Sequence, residues 1–340
     1  MTEIRTAIIG YGLAGSVFHG PLIAADPSYS VSGIVTANPE RAAAAAARHP
    51  EARILSDAAQ VLSGDFDLVV VATPTPGHAE LATMTVTAGL PTVVDKPLAV
   101  RAADAERLIA LAERGGVPLT VFQNRRWDGD FLTVRRLVSE GRLGEVWRFE
   151  SRFEWLSARP RPAWKSGTAG RDGGGVAYDL GAHLVDQAIQ LFGPVKEVYG
   201  ELDRHREHAV NDDDSFIALT HESGVRSHLG MSSLVAQRGF RFRVLGSESA
   251  YGKWGLDPQE SQLASGMSPL DDAFGTEPAQ AYGLLGRDGE GVPLPTERGA
   301  YRAFYALLAE ALRGGGPVPV DPRDALTAIR VIEGLHERLG

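Results

Sequence analysis

The chain has 340 residues, 44% of them hydrophobic and 23% charged, which suits two globular domains and excludes a disordered or fibrous chain. With 34 Lys+Arg against 43 Asp+Glu the formal net charge is −9, which argues against a nucleic-acid or anionic-membrane surface and leaves room only for a local basic pocket. There is no cysteine, so disulfides, thiolate catalysis and Cys-ligated metal are all excluded.

The N-terminus Met1-Thr-Glu-Ile-Arg5 runs straight into an apolar strand, without the basic, apolar and small-residue succession of a signal peptide. No apolar stretch approaches the roughly 20 residues of a membrane span, so a cytoplasmic protein is expected. Strands are expected at Thr6–Ile9, Val31–Val35, Leu68–Ala72, Thr92–Val94 and Pro118–Phe122, with helices at Ser16–Ala25, Pro39–His49, His78–Ala88 and Ala102–Arg114. The run Leu68-Val-Val-Val-Ala72 is continuous, as in a strand buried on both faces. This alternation predicts βαβ crossovers and a doubly wound, Rossmann-type parallel sheet over residues 1–122.

After Phe122 the period changes. Trp147, Phe149, Phe153 and Trp155 alternate with Arg148, Glu150, Arg152 and Glu154, and Phe240, Phe242 and Val244 with Arg241 and Arg243. With further strands at Val195–Leu202, Phe216–Thr220 and Val225–Met231, residues 123–340 read as an α+β domain with a largely antiparallel open sheet, serving substrate binding and oligomerisation. The sheet face with Phe240, Phe242 and Val244, or its opposite face, is expected to pair two copies into a homodimer or larger oligomer. From Gly255 to Gly299 the chain is rich in Gly, Pro, Ser and Asp without clear period and reads as a flap or oligomer contact. A final helix is expected at Pro322–Leu339.

Gly10-Tyr-Gly12-Leu13-Ala14-Gly15 follows the first strand and opens the first helix. In that context Gly10 permits the tight turn, Gly12 lets backbone approach a pyrophosphate, and Gly15 lets helix and strand pack. The N–H groups at the helix start then face the phosphates. The second strand ends Val35-Thr36-Ala-Asn38-Pro-Glu40-Arg41, with no carboxylate at Thr36 to hold ribose hydroxyls. Thr36 and Asn38 can donate to the extra phosphate of NADP and Arg41 can supply charge, so NADP is expected ahead of NAD; the alternative has Glu40 reaching the ribose.

Thr73-Pro74 leaves the buried strand on the crevice side and either touches the cofactor or simply stops the strand, while His78 reads as a helix-start residue. Asp95-Lys96-Pro97 ends the next strand and points an ammonium toward the same crevice; a cis Lys96–Pro97 bond is possible there but not legible. Asn124-Arg125-Arg126-Trp127 begins at the expected domain junction, where Asn124 or Arg125 can bind substrate and Arg126 reads as a surface ion-pair partner. Arg161 and Trp164 are further candidates for a pocket wall.

Tyr178-Asp179-Leu-Gly-Ala-His183, after Gly173-Gly-Gly175, opens an apolar helix. At i and i+4, Asp179 and His183 share a face beside the stripe Leu180, Leu184, Ala188 and Leu191. A carboxylate beside an imidazole fixes its tautomer and raises its basicity, as proton transfer near neutral pH requires.

Together the glycine turn, the Asp95-Lys96-Pro97 turn and the Gly-Gly-Gly…Asp-x-x-x-His block resemble the glucose–fructose oxidoreductase/inositol dehydrogenase (Gfo/Idh/MocA) family over essentially the whole chain. Asp95 departs from the glutamate usual there but leaves the lysine in place. The stretches Gly10–His19 and Phe122–Trp127 are similar to the branch of NADP-dependent scyllo-inositol dehydrogenases. The resemblance implies Lys96, Asp179 and His183 as catalytic group, with no metal, and a small sugar or cyclitol as partner. It also leaves two alternatives: a non-catalytic nucleotide-binding regulator, or a reductase of a non-sugar carbonyl.

Overall fold

A computed structural model describes residues 2–157 and 167–339 and forms two compact units. The first comprises Met1–Asn124, Gln259–Phe274 and Ala300–Leu326; the second comprises Arg125–Pro258, Gly275–Gly299 and Thr327–Gly340.

The first unit is built on six strands: β1 (Ile4–Ile9), β2 (Tyr29–Val35), β3 (Arg53–Leu55), β4 (Leu68–Val71), β5 (Thr92–Asp95) and β6 (Leu119–Phe122). They lie in the order β3-β2-β1-β4-β5-β6, all parallel. Ile8, Ile34, Val69, Val70, Val71, Val93, Val94 and Val121 are fully buried, as β-branched strands covered on both faces must be. Chain order reverses between β1 and β4, so the loops at their carboxyl ends flank a switch point, where such sheets hold ligands. Helices α1 (Gly20–Ala24), α2 (Pro39–Arg48), α3 (His78–Thr87) and α4 (Ala102–Gly115) make the crossovers.

Three features of this unit depart from the sequence reading. β3 was not anticipated, because three residues with an exposed arginine show no period. The first helix starts as a wide π-type turn over Ala14–His19, with Gly20 N–H donating to the Gly15 carbonyl; Pro21 cannot supply the N–H that an α-helical ladder needs next. The chain also returns through Ala300–Leu326, so one cut after Phe122 does not describe this unit. The helix Arg302–Gly314 brings Phe304 edge-to-face onto Phe122 at 4.9 Å, and Tyr29 Oη donates to the Tyr305 carbonyl at 2.8 Å. Thr120 Oγ1 donates to the Val320 carbonyl, again at 2.8 Å.

The second unit carries β7 (Val146–Glu154), β8 (Val195–Asp203), β9 (Asp214–His221), β10 (Arg226–Ser232), β11 (Phe242–Gly246), β12 (Ala250–Lys253), β13 (Gly283–Gly286) and β14 (Val292–Leu294). They form one sheet, β14-β13-β12-β11-β7-β10-β9-β8, antiparallel except where β7 and β10 run parallel. Phe149, Ile217, Leu229, Met231, Phe242 and Val244 are buried. Helices α5 (Gly129–Ser139) and α6 (Ala182–Phe192) belong to this unit, and α6 packs on β7 and β10. A Cβ at Gly181, just before α6, would lie 3.0 Å from Met231 Sδ, so the approach to the sheet is close.

Phe242 and Val244 therefore face the protein's own core and offer no self-association surface, which corrects that part of the sequence reading. The alternation holds only in part: Phe149, Phe242 and Val244 are buried, but so are Glu150 and Arg241, while Trp147 is exposed. The Gly255–Gly299 stretch is also not one flap. It contributes the helix Gln259–Ala264 to the first unit and β13 and β14 to the second. Its weak period reflects short elements separated by turns. Among the described residues no helix is long and apolar enough to cross a membrane.

Candidate active site

In the first unit the glycine turn sits at the carboxyl end of β1. Gly10 has φ +101°, and a Cβ there would stand 2.7 Å from the Ala72 carbonyl oxygen. A Cβ at Gly15 would stand 2.1 Å from the Gly10 carbonyl oxygen, so the helix start presses on the turn. Gly12 differs. Its Cβ position meets a single atom within 4 Å, Arg41 Nη1 at 3.9 Å. That is a cradle with open space above backbone, which fits a dinucleotide pyrophosphate. Leu13 is largely exposed and Ala14 opens the π-type turn.

Thr36, Asn38 and Arg41 follow the end of β2. The Asn38 side-chain oxygen accepts from Arg41 N–H at 2.9 Å and caps α2, and Asn38 N–H donates to Thr36 Oγ1 at 3.4 Å. Asn38 thus spends its oxygen on the helix and retains its amide N–H₂ as a donor. The capped turn sets Arg41 with its guanidinium beside Gly12, a juxtaposition spacing alone does not reveal.

Thr73 and Pro74 follow β4, with Thr73 Cγ2 3.1 Å from where a Gly10 Cβ would be. Lys96 follows β5, half-buried, its N–H bonded to Asp95 Oδ1 at 2.9 Å, and the Lys96–Pro97 bond is cis. His78 is not merely a helix-start residue. It is buried, with Nδ1 2.8 Å from the Pro97 carbonyl oxygen and Nε2 2.7 Å from that of Thr73. Below them His19 is fully buried, 2.6 Å from Tyr305 Oη; burial lowers its pKa to about 4 against the raising effect of Asp95.

In the second unit Asp179 lies in a π-type turn, Ala177–Gly181, that runs on into α6, where His183 is the second residue. Asp179 is half-buried and His183 is buried, one turn apart on a continuous helical run. The glycines before it are structurally required. A Cβ at Gly174 would lie 2.0 Å from the Thr168 carbonyl oxygen, and one at Gly175 1.8 Å from Asp212 Oδ1. The sequence reading missed Asp212. Its Oδ2 accepts from Ala177 N–H at 2.7 Å and from Ser215 Oγ at 2.9 Å, placing a carboxylate at the start of the run that carries Asp179 and His183. Burial raises the pKa of Asp212, and the neighbouring His336 opposes that.

The same helix holds the Arg125-Arg126 segment. Gln187 Nε2 donates to the Arg125 carbonyl at 2.8 Å, and Arg126 meets Asp186 through Nε at 2.8 Å and Nη2 at 2.5 Å. Arg126 is thus a buried, bidentate partner and not the surface one its sequence suggested. Arg241 lies 4.0 Å from the ring centroids of both Phe153 and Phe242 and donates to Gln187 Oε1 at 3.0 Å. Arg125 sits over Phe153 at 5.1 Å, with Nη1 3.4 Å from Asp128, whose pKa burial drives up. Asp186 and Gln187, at i+3 and i+4 from His183, could have been found as a polar face on an apolar helix. Asn124 ends the first segment of the first unit and is buried. Arg161 and Trp164 lie outside the described residues.

A pyrophosphate cradle at the end of β1 and a helix bearing an acid and a histidine define a nicotinamide-dependent oxidoreductase that acts on CH–OH groups. Family models agree along the chain: residues 4–123 match the oxidoreductase family, NAD-binding Rossmann fold, and residues 131–251 match the GFO/IDH/MocA C-terminal domain. The chain belongs to the Gfo/Idh/MocA family. It is 34% identical to scyllo-inositol 2-dehydrogenase (NADP(+)) IolW of Bacillus subtilis (strain 168), over 98% of this chain and 93% of that protein. It is 35% identical to a D-apiose dehydrogenase of Paraburkholderia graminis, over 90% and 80%. Among solved structures, yvaA of Bacillus subtilis, described as an oxidoreductase, superposes with TM-score 0.91 at 33% identity, covering 98% of this chain and 95% of that one.

Proposed function

We propose that the protein is an NADP-dependent dehydrogenase that exchanges a secondary alcohol and a ketone on a sugar or inositol, similar to scyllo-inositol dehydrogenase. The observation that carries the cofactor half is Arg41 beside the open Gly12 cradle, a cation where the 2′-phosphate of NADP needs one and NAD has nothing. The backbone of Gly10–Gly15 holds the pyrophosphate, Thr36, Asn38 and Arg41 the ribose phosphate, and Thr73, Pro74 and Lys96 border the same nucleotide. When bound, the nicotinamide supplies the hydride exchange.

The chain's own residues bind, orient and move the proton. Asn124 and Arg125 hold the substrate hydroxyls, with Trp164 as a candidate for the pocket wall. In oxidation His183 takes the hydroxyl proton as base, Asp179 orients the imidazole and stabilises its cationic form, and the Lys96 ammonium stabilises the alkoxide-like oxygen. In reduction the protonated His183 returns the proton. NADP-linked turnover by IolW and sugar oxidation by D-apiose dehydrogenase are what those relatives' names state, and both support a polyol substrate here.

Lys96→Ala and His183→Ala are expected to lower turnover by roughly 10²- to 10⁴-fold while NADP binding persists. Absorbance assays over a panel of inositols and aldoses with both cofactors, with nucleotide titration of each variant, test this. Near-normal turnover in either variant removes the assignment; nucleotide binding without turnover of any polyol favours the regulator reading. We also propose a homodimer or larger assembly formed through the sheet face opposite Phe242, where Tyr199 (59% exposed) and Trp254 (45% exposed) are found. Light scattering that detects only monomer at micromolar concentration removes that idea.

A further inference from the structure

His78 has two hydrogen-bond partners and both are carbonyl oxygens, those of Pro97 at 2.8 Å and Thr73 at 2.7 Å. A carbonyl oxygen only accepts, so each contact needs an N–H on the ring. Neutral imidazole carries one N–H and imidazolium carries two. A neutral ring would set a nitrogen lone pair against an oxygen lone pair below 3 Å in a site that is 1% exposed, forfeiting one bond where water cannot replace it. His19, itself neutral in its burial, feels the charge of both His78 and Asp95, and Glu80 lies in the first turn of α3.

The two carbonyls belong to different loops at the carboxyl edge of the sheet. Thr73 follows β4, and Pro97 follows Lys96 at the end of β5. The Lys96 backbone is thereby fixed on both sides: its N–H bonds Asp95, and the carbonyl of the next residue bonds His78. Neither bond is to the lysine side chain, so His78 acts on that side chain only through the backbone.

We propose that His78 is an imidazolium positioning residue that joins the Thr73 and Pro97 carbonyls and so sets where the Lys96 ammonium stands in the reaction. The kinetic part rests on the reading of Lys96 given above; the protonation state of the ring does not.

The test has two arms. Side-chain ¹⁵N spectra of the native protein at neutral pH, with the His78 ring assigned through correlations to its own backbone, should show both ring nitrogens protonated; a ring with one bare nitrogen overturns the proposal. His78→Asn keeps a donor near the Nδ1 position, for Pro97, and His78→Gln keeps one near Nε2, for Thr73, so each variant cuts one loop loose. Both should lose roughly tenfold or more in kcat, while in His78→Gln, which keeps the Thr73 loop held at the nucleotide, NADPH affinity read by fluorescence titration shifts less than about threefold. A merely structural histidine would instead lower the fraction of folded enzyme and leave kcat per active site unchanged. An inactive Lys96→Ala beside fully active His78 variants overturns the positioning role alone, whereas an active Lys96→Ala removes the reading of the lysine. Should neither His78 variant fold, the ring spectrum of the native protein decides.

Discussion

The Arg126–Asp186 pair gives a stability prediction that separates charge from packing. Both side chains are nearly inaccessible, at 9% and 2% exposure, and they share two bonds at 2.8 and 2.5 Å. Asp186→Asn removes the negative charge and leaves the guanidinium buried without its bidentate carboxylate, a loss of about 3–5 kcal/mol for a buried pair. An apolar replacement of both partners costs far less, because the desolvation of two charges disappears with their attraction. Arg126→Met with Asp186→Leu is therefore expected to recover most of the stability lost in either single variant. Trp127, Trp147, Trp155 and Trp254, the tryptophans among the described residues, lie in the second unit, so tryptophan fluorescence in urea follows that unit's unfolding. Asp186 is three residues beyond His183 on α6, and Arg126 adjoins Arg125; the double variant should thus be stable yet slow. Asp186→Asn within about 1 kcal/mol of the native protein, or a double variant as weak as the singles, would refute the reasoning.

The parallel sheet was legible because its signals are local. Leu68–Val71 is a buried apolar run, and Gly10–Gly15 is a glycine turn placed directly between the first strand and the first helix. Lys96, Asp179 and His183 could be marked because residue type, strand end and helical spacing fall within a few positions. What was missed depends on distant partners. Tyr305 reaches His19 across 286 residues, and no pattern near Tyr305 announces this. Arg126 looked like a surface arginine because Asp186 is 60 residues away, and Phe242 gave its strand's period but not which side the helices would cover. Asp212 lies within an acidic run that reads as a solvated loop, yet its carboxylate caps the helix of Asp179 and His183 from 35 residues away. Charged residues are informative when buried, and burial is decided by tertiary structure.

Two further outcomes are expected. Arg41→Ala should weaken NADP by roughly 10- to 100-fold, the worth of a charge-assisted contact to phosphate, and leave NAD nearly unchanged; a clear native preference for NAD in kcat/KM would overturn this. The second concerns acid. His19 is buried with its pKa lowered to about 4 from an ordinary 6.5, chiefly by desolvation. Between those values the unfolded chain binds a proton that the folded one refuses, so stability rises with pH across that window and falls as the solution is acidified. A difference of about 2.5 units corresponds to about 3 kcal/mol, lost between pH 6.5 and 4. His19→Gln offers an amide that can still hydrogen-bond the Tyr305 hydroxyl but does not titrate. Urea midpoints of the two proteins should therefore diverge most at pH 7, where the native histidine is neutral and well housed, and converge toward pH 4.5, where its unfolded form is charged. Parallel pH dependences for both proteins would mean that His19 is protonated in the fold, and that the His19–Tyr305 contact is made by a cation.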